Sequence, residues 1–141
     1  MVAPNRKYWL VKTEPKAYSW EDLVEDGWTY WDGIRNYEAR NNLRKMSVGD
    51  QLLYYHSGRS RTVVGVAEVT RGHYQDPTTE DTRWSAVDIK PVQALKRPVT
   101  LAKIKKDQRL GEMVLVRRSR LSVTPVTEDE YGIVLAMGGV G

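Results

Sequence analysis

The order of apolar and polar positions divides the chain into short elements of two periods. Residues 8–12 (YWLVK) form an aromatic and β-branched run halted by Thr13-Glu14-Pro15, which predicts a first strand. Ser19 with Asp22 three residues on is a capping-box pattern that opens a short helix, and Gly27 ends it. An Asp32-Gly33 pair marks a turn. A second helix is predicted over 37–46, with Ala39, Leu43 and Met46 on one face and Tyr37, Arg40, Asn41 and Arg44 on another. Three strands follow, at 51–56 (QLLYYH), 62–70 (TVVGVAEVT) and 85–92 (SAVDIKPV). Gly65 interrupts the middle one where a bulge or a close backbone approach would fit. The polar stretch 72–83 reads as a surface loop. Thr100 caps a small helix near 101–105, 121–126 is a further strand, and Thr127 with Glu130 opens a last helix that ends at Gly138-Gly139.

Strands and short helices that do not alternate strictly argue for an α+β domain whose sheet is curved or barrel-like, closure being one way to hide strand edges. The 141 residues suffice for one domain, and no internal repeat or low-complexity linker divides them. With no Cys and only His56 and His73, disulfides are excluded and metal ligands are scarce, so neither a metal nor a cofactor is expected. No apolar run approaches the roughly 18 residues of a membrane span and residues 1–7 are polar, so a cytoplasmic protein without a membrane partner is expected.

Charge adds a direction. The net charge is +4, and residues 1–50 hold eight basic and eight acidic groups, so the whole excess lies in 51–141. Lys103, Lys105 and Lys106 form one cluster and Arg117, Arg118 and Arg120 another. Such clusters suit the phosphates of a polyanion, and equally an ordinary solvated surface. Phe is absent while there are five Trp and eight Tyr. Flat rings with polar edges suit stacking surfaces.

Common catalytic signatures are missing: no phosphate loop, nucleophile elbow, zinc helix or dinucleotide fingerprint is present. One enzymatic pattern survives. Glu68, with Asp88-Ile89-Lys90 twenty residues on, matches the acid and D-x-K arrangement of metal-dependent nucleases, although Asp88 and Lys90 are also the solvent-facing positions of an alternating strand. The strongest constellation runs from Trp31 through Asp32, Gly33, Ile34, Arg35 and Asn36 to Tyr37, with Asn41 beyond. A Trp beside a turn glycine is well placed to line a pocket, where a stacked base gains about 1–3 kcal/mol. Asp and Asn can read base edges and Arg can meet phosphate. The competing reading makes Trp31 an anchor of the turn. Lys12, Thr13 and Glu14 at one strand end, and Tyr55, His56 and Ser57 at another, are candidates to share the pocket.

The blocks YWLVKTEP (8–15), WDGIRNYEARNNLRKM (31–46), GDQLLYYHS (49–57), VGVAEV (64–69), RWSAVDIKPV (83–92), RPVTL (97–101) and LVRRSRLSVTPVT (115–127) together resemble the EVE domain family. The resemblance covers 7–138 and leaves 1–6 and 139–141 as flexible ends. It implies a PUA-like fold, a partly open β-barrel of five to six strands with peripheral short helices, related to the YTH domains that cage methylated adenine. It implies a non-catalytic reader of one modified base, such as a modified cytosine, in DNA or RNA. Such a reader would act as a monomer, with any downstream chemistry left to a separate effector protein. Trp31 matches the principal cage tryptophan, Lys12, Thr13 and Glu14 match the polar strand end, and Tyr74 or Trp84 would supply the opposing wall. The connection between Tyr74-Gln75-Asp76-Pro77 and Arg83-Trp84 is shorter than in many relatives, which would leave the pocket more open. A nuclease and a protein-interaction module are the alternatives.

Overall fold

A computed structural model describes residues 6–141; residues 1–5, most of one expected flexible end, lie outside the described residues. Six strands form one sheet in the order β2-β5-β4-β3-β1-β6: β1 Tyr8–Thr13, β2 Thr29–Trp31, β3 Gln51–His56, β4 Thr62–Gln75, β5 Ser85–Thr100 and β6 Val123–Val126. Only β1 and β3 pair in parallel; the other neighbours are antiparallel. The sheet is mixed and not closed, so the expected hiding of edges by closure is not how this fold solves the problem. Its edge strands are instead short, β2 having three residues and β6 four with Pro125 among them, and both devices discourage pairing with another chain.

Alternation along the strands feeds two cores, one on each face. Trp9, Val11, Leu52, Tyr54, Val87 and Ile89 meet helices α2 (Trp20–Asp26) and α3 (Tyr37–Lys45) through Trp20, Leu23, Ala39 and Leu43. Leu10, Leu53, Tyr55, Val63, Leu95 and Val99 meet Ile104 of α4 (Leu101–Lys106), Leu115 of α5 (Val114–Arg117) and Val134 of α6 (Glu128–Met137). Fully burying one such side chain contributes about 1.5–3 kcal/mol, which is why these faces fix the register. The capping boxes at Ser19–Asp22 and Thr127–Glu130 both form, and Thr100 caps α4. Asp50, buried, accepts hydrogen bonds from the Trp9 indole at 2.9 Å and the Ser47 N–H at 3.0 Å, tying the β3 entrance to β1. At the carboxyl end, the Val140 N–H donates to the Leu135 carbonyl at 3.0 Å and its side chain packs on the second core.

Two strands run further than the sequence pattern predicts. β4 continues through Gln75, into the stretch read as loop, and β5 continues to Thr100. The pairing register between them shifts four times, so the period-two pattern breaks although the strands do not. One of these irregularities surrounds Gly65, and the neighbouring β3–β4 register slips between Tyr54 and Tyr55. A side chain at Gly65 would begin 2.7 Å from the Trp20 ring carbons, so the predicted close approach is made by an indole.

Gly65→Ala is therefore expected to cost about 1–3 kcal/mol, the range for overpacking a tight interior. A urea denaturation midpoint measures it. Combined with Trp20→Leu the cost should be less than additive, because the ring that collides is gone; an unshifted midpoint in the single variant would show that the indole moves aside freely.

Candidate functional site

One cleft of about 900 Å³ is lined both by the end of β1 and by β2. Lys12 and Thr13 come from the strand end, and Ala17 and Tyr18 from the one-turn helix α1 (Pro15–Tyr18). Trp28, Thr29, Tyr30 and Trp31 come from β2 and its approach, Asp32, Gly33 and Ile34 from the following turn, and Ser122 from the entry to β6. Polar ends of parallel-paired strand and turn thus face four aromatic side chains. Burial of Asp32, with the charge of Asp76 adding to it, holds its carboxyl above the usual carboxylate range, and burial lowers Lys12. Burial, with the hydrogen bond to Asp26, pushes Tyr18 up to about 12, and its hydroxyl donates to Asp26 at 2.6 Å.

The turn is pinned from behind. Asp76, fully buried, accepts from the Gly33 N–H at 2.9 Å and from the Arg35 guanidinium at 2.9 Å, and its other oxygen takes the Thr78 N–H at 2.7 Å. Burial alone would raise this carboxyl, but the hydrogen bonds from Thr78, Gly33 and Arg35 outweigh it and hold it at about 2. Gly33 adopts a φ of 74°, which suits glycine, and that conformation presents its N–H to Asp76.

Of the residues expected in a pocket, Lys12, Thr13, Trp31 and Asp32 meet in this cleft. Trp31 combines the pocket-lining and the anchoring readings of the sequence. It is 7% exposed and belongs to the first core, edge-on to Tyr54 at 5.6 Å, so it forms a wall and is itself packed from behind. Glu14 and Ser57 share a separate hollow beyond the strand ends. Arg35 faces Asp76, Asn36 caps α3 by accepting the Ala39 N–H, and Asn41 accepts from Arg40. Tyr55 is buried in the opposite core, and His56 is buried with its Nε2 accepting the Trp20 N–H at 3.0 Å. The expected opposing wall is elsewhere too: Trp84 stacks on Tyr37 with centroids 5.1 Å apart, and Tyr74 donates its hydroxyl to Asp88.

The aromatic residues that do face Lys12 and Asp32 are Tyr18, Trp28 and Tyr30, which sequence reasoning missed. Trp28 and Tyr30 are 54% and 41% exposed. Their signal was present as three aromatics, Trp28, Tyr30 and Trp31, in the four residues just before Asp32-Gly33.

Charge clusters separate as well. Arg117, Arg118 and Arg120 lie beside the cleft, whereas Lys103, Lys105 and Lys106 sit on α4, the helix of the opposite core. Glu68 is engaged by Lys90 at 3.6 Å and by Gln51 at 3.0 Å, and Asp88 by Tyr74. No group of three or more His, Asp or Glu able to hold a metal occurs among the described residues. No helix among them is long and apolar enough to cross a membrane.

The family model of the EVE domain matches residues 7–137. The chain belongs to the EVE domain family. Human thymocyte nuclear protein 1 is 32% identical over an alignment covering 92% of this chain and 73% of the human protein. That alignment runs over 164 positions, more than the 141 residues here, so the human protein carries residues that this EVE domain lacks. A crystal structure of the human protein in complex with 5-methylcytosine-containing DNA superimposes with a TM-score of 0.87, covering 96% of this chain and 99% of that one. A protein of Agrobacterium tumefaciens, 44% identical, superimposes at 0.93 over 95% of this chain and 94% of its own. A YTH domain of Zygosaccharomyces rouxii shares the fold at a TM-score of 0.65 with 16% identity, covering 98% and 90%. The fold of this EVE domain is accordingly that of the PUA-like domains.

Two acid-sensitive groups brace the cleft, and their windows differ. Burial holds His56 below its usual range, opposed by Glu21. Its stabilising effect is therefore complete above the ordinary value of about 6.5 and fades as pH falls through the lowered folded value. Asp76, held at about 2 in the fold, stabilises above an unfolded value of about 4 and loses that effect between there and about 2. Denaturation midpoints measured against pH should show both declines. His56→Gln should flatten the upper one, and Asp76→Asn the lower one at a cost of about 1–3 kcal/mol at neutral pH; a single decline untouched by either variant would contradict these assignments.

Proposed function

We propose that this EVE domain is a non-catalytic reader that seats one modified cytosine of DNA in the cleft between β1 and β2. The observation that carries the reading is the convergence of Lys12, Thr13, Trp31 and Asp32, distant in sequence, on one aromatic-walled cleft. The human relative bound to 5-methylcytosine-containing DNA supplies the choice of ligand.

The chemistry fits. Cytosine offers an exocyclic amino donor and two acceptors, one a ring nitrogen and one a carbonyl oxygen, and a carboxylate is the natural partner of that amino group. Asp32 takes this role, while Lys12, Thr13 and Ser122 bring donors for the acceptors. Trp28 and Tyr30, exposed in the free protein, are able to close on the base, and one aromatic face stabilises a stacked base by about 1–3 kcal/mol. The methyl group itself adds only about 0.8 kcal/mol when buried, roughly a fourfold preference. Stricter selection has to come from polar groups left unpaired by the wrong base.

Calorimetry on matched duplexes with and without 5-methylcytosine tests the reading. Trp28→Ala should weaken binding about five- to a hundredfold while leaving the melting temperature nearly unchanged, since the ring is exposed. Trp31→Ala is a poorer probe because truncating a packed Trp costs about 3–5 kcal/mol of stability. Asp32→Asn should erode the preference for cytosine over other bases. If neither Trp28→Ala nor Tyr30→Ala alters binding, the base goes elsewhere. Cleavage of DNA with Mg²⁺ that vanishes in Asp88→Ala would replace the reader with a nuclease.

A further inference from the structure

Beside the cleft lies a smaller niche of about 280 Å³ lined by Asn36, Arg117, Arg118, Ser119, Arg120 and Leu121. We propose that it is a phosphodiester seat, holding the DNA backbone next to the nucleotide whose base enters the cleft. This inference rests on the reader function just proposed and names how the strand is gripped.

Three observations lead there. First, niche and cleft are lined by adjoining stretches of the chain. The segment 117–121 runs directly into Ser122 of the cleft, and Ile34 of the cleft lies two residues before Asn36 of the niche. Lys12, a cleft residue, donates its ammonium proton to the Ser119 carbonyl at 2.9 Å, so the segment is fastened at the boundary. A nucleotide entering one space therefore brings its own linkages to the other.

Second, the niche is basic and its counter-charges are exchangeable. Arg117 pairs with Glu112 at 2.6 Å and Arg118 with Glu38 at 2.6 Å, every partner being at least half exposed. Exposed pairs of this kind hold weakly, so a doubly bridging phosphate oxygen pair competes well for the guanidinium fork. Arg120 has no acidic partner among the described residues. Third, Asn36 commits its side-chain oxygen to the Ala39 N–H, which turns its amide NH₂ into a donor available to the niche. The three guanidinium groups and the Asn36 amide NH₂ are donors, the complement of a phosphate.

The other basic cluster gives the control. Lys103 and Lys106 flank a shallow hollow on α4, across the sheet from the cleft, and should not touch the same strand.

The test uses plain and 5-methylcytosine-containing duplexes, titrated between about 50 and 200 mM salt. A phosphate contact acts on any sequence, so Arg120→Gln should weaken both duplexes alike, roughly tenfold at the lower salt for a lost charge-assisted contact. The log–log salt slope should become shallower by about one, and by about two in Arg118→Gln/Arg120→Gln. Lys103→Gln/Lys106→Gln should leave affinity and slope unchanged. A slope unaltered in Arg120→Gln, or one that falls equally in the lysine variant, overturns the seat whatever happens in the cleft. Weaker binding in Trp28→Ala with an unchanged salt slope and an intact Arg120 effect separates the base site from the phosphate seat. If the wild type prefers neither duplex yet keeps the Arg120-dependent slope, the reader function fails and the seat stands. If no duplex binds at 50 mM salt, both fall.

Discussion

The contact of the Trp20 indole with the backbone at Gly65 sets the geometry of everything around the cleft. Because a glycine lies under the ring, the indole comes close enough to reach Tyr54, whose centroid is 5.4 Å away and edge-on. Tyr54 is fully buried, and burial pushes its phenol far up, so it stays a neutral donor. Its hydroxyl donates to the Tyr18 carbonyl at 3.0 Å, and its ring meets Trp31 from the other side. The carbonyl belongs to one wall of the cleft and the tryptophan to another. A single buried tyrosine, positioned by one missing side chain, thus sets the spacing between walls that arise from different parts of the chain. His56 completes the brace by accepting the first N–H of α2.

With its floor fixed from below and its turn fixed from behind by Asp76, the cleft has little freedom except at Trp28 and Tyr30. The division is physically sensible for a base-binding function. Preorganised polar groups lose little on binding, so they discriminate well, while the exposed rings supply sequence-tolerant stacking. Raising Asp32 by burial has a related consequence. A carboxylate partly withdrawn from water gains more from an incoming donor than one already satisfied by water, and loses more when the donor is absent.

How much of this was legible depended on range along the chain. The capping boxes, β3 and α3 were read almost to the residue because each is written in a local pattern. The strand end at Lys12–Thr13 and the Trp31–Asp32 turn were legible as chemistry, since polar groups at strand ends and aromatics beside turns carry a recognisable signal. The full lengths of β4 and β5 were not, because bulges at the register shifts break the alternation that announces a strand. The opposing wall was misplaced for a different reason. Trp84 and Tyr37 advertise stacking in the sequence and do stack, but on each other, with Arg40 over the Tyr37 face at 4.9 Å and Arg35 over the Trp84 face at 5.5 Å. Composition shows that rings are available; only three-dimensional pairing shows which are already used.

The same distinction separates the two basic clusters. Sequence weighs Lys103–Lys106 and Arg117–Arg120 equally, three charges in four residues each, yet the sheet puts them on opposite sides. The arginine cluster is the one fastened to the cleft, through the Lys12 bond to Ser119. Under the proposed function this arrangement resolves a quantitative difficulty. A methyl group worth about a factor of four cannot hold a strand by itself, and a stacked base adds about two orders of magnitude at most. Phosphate contacts add affinity without selection, and a polar pocket adds selection at little cost in affinity. Placing guanidinium groups beside the cleft and a partly buried carboxylate inside separates the two tasks, so that binding strength and base preference respond to different residues.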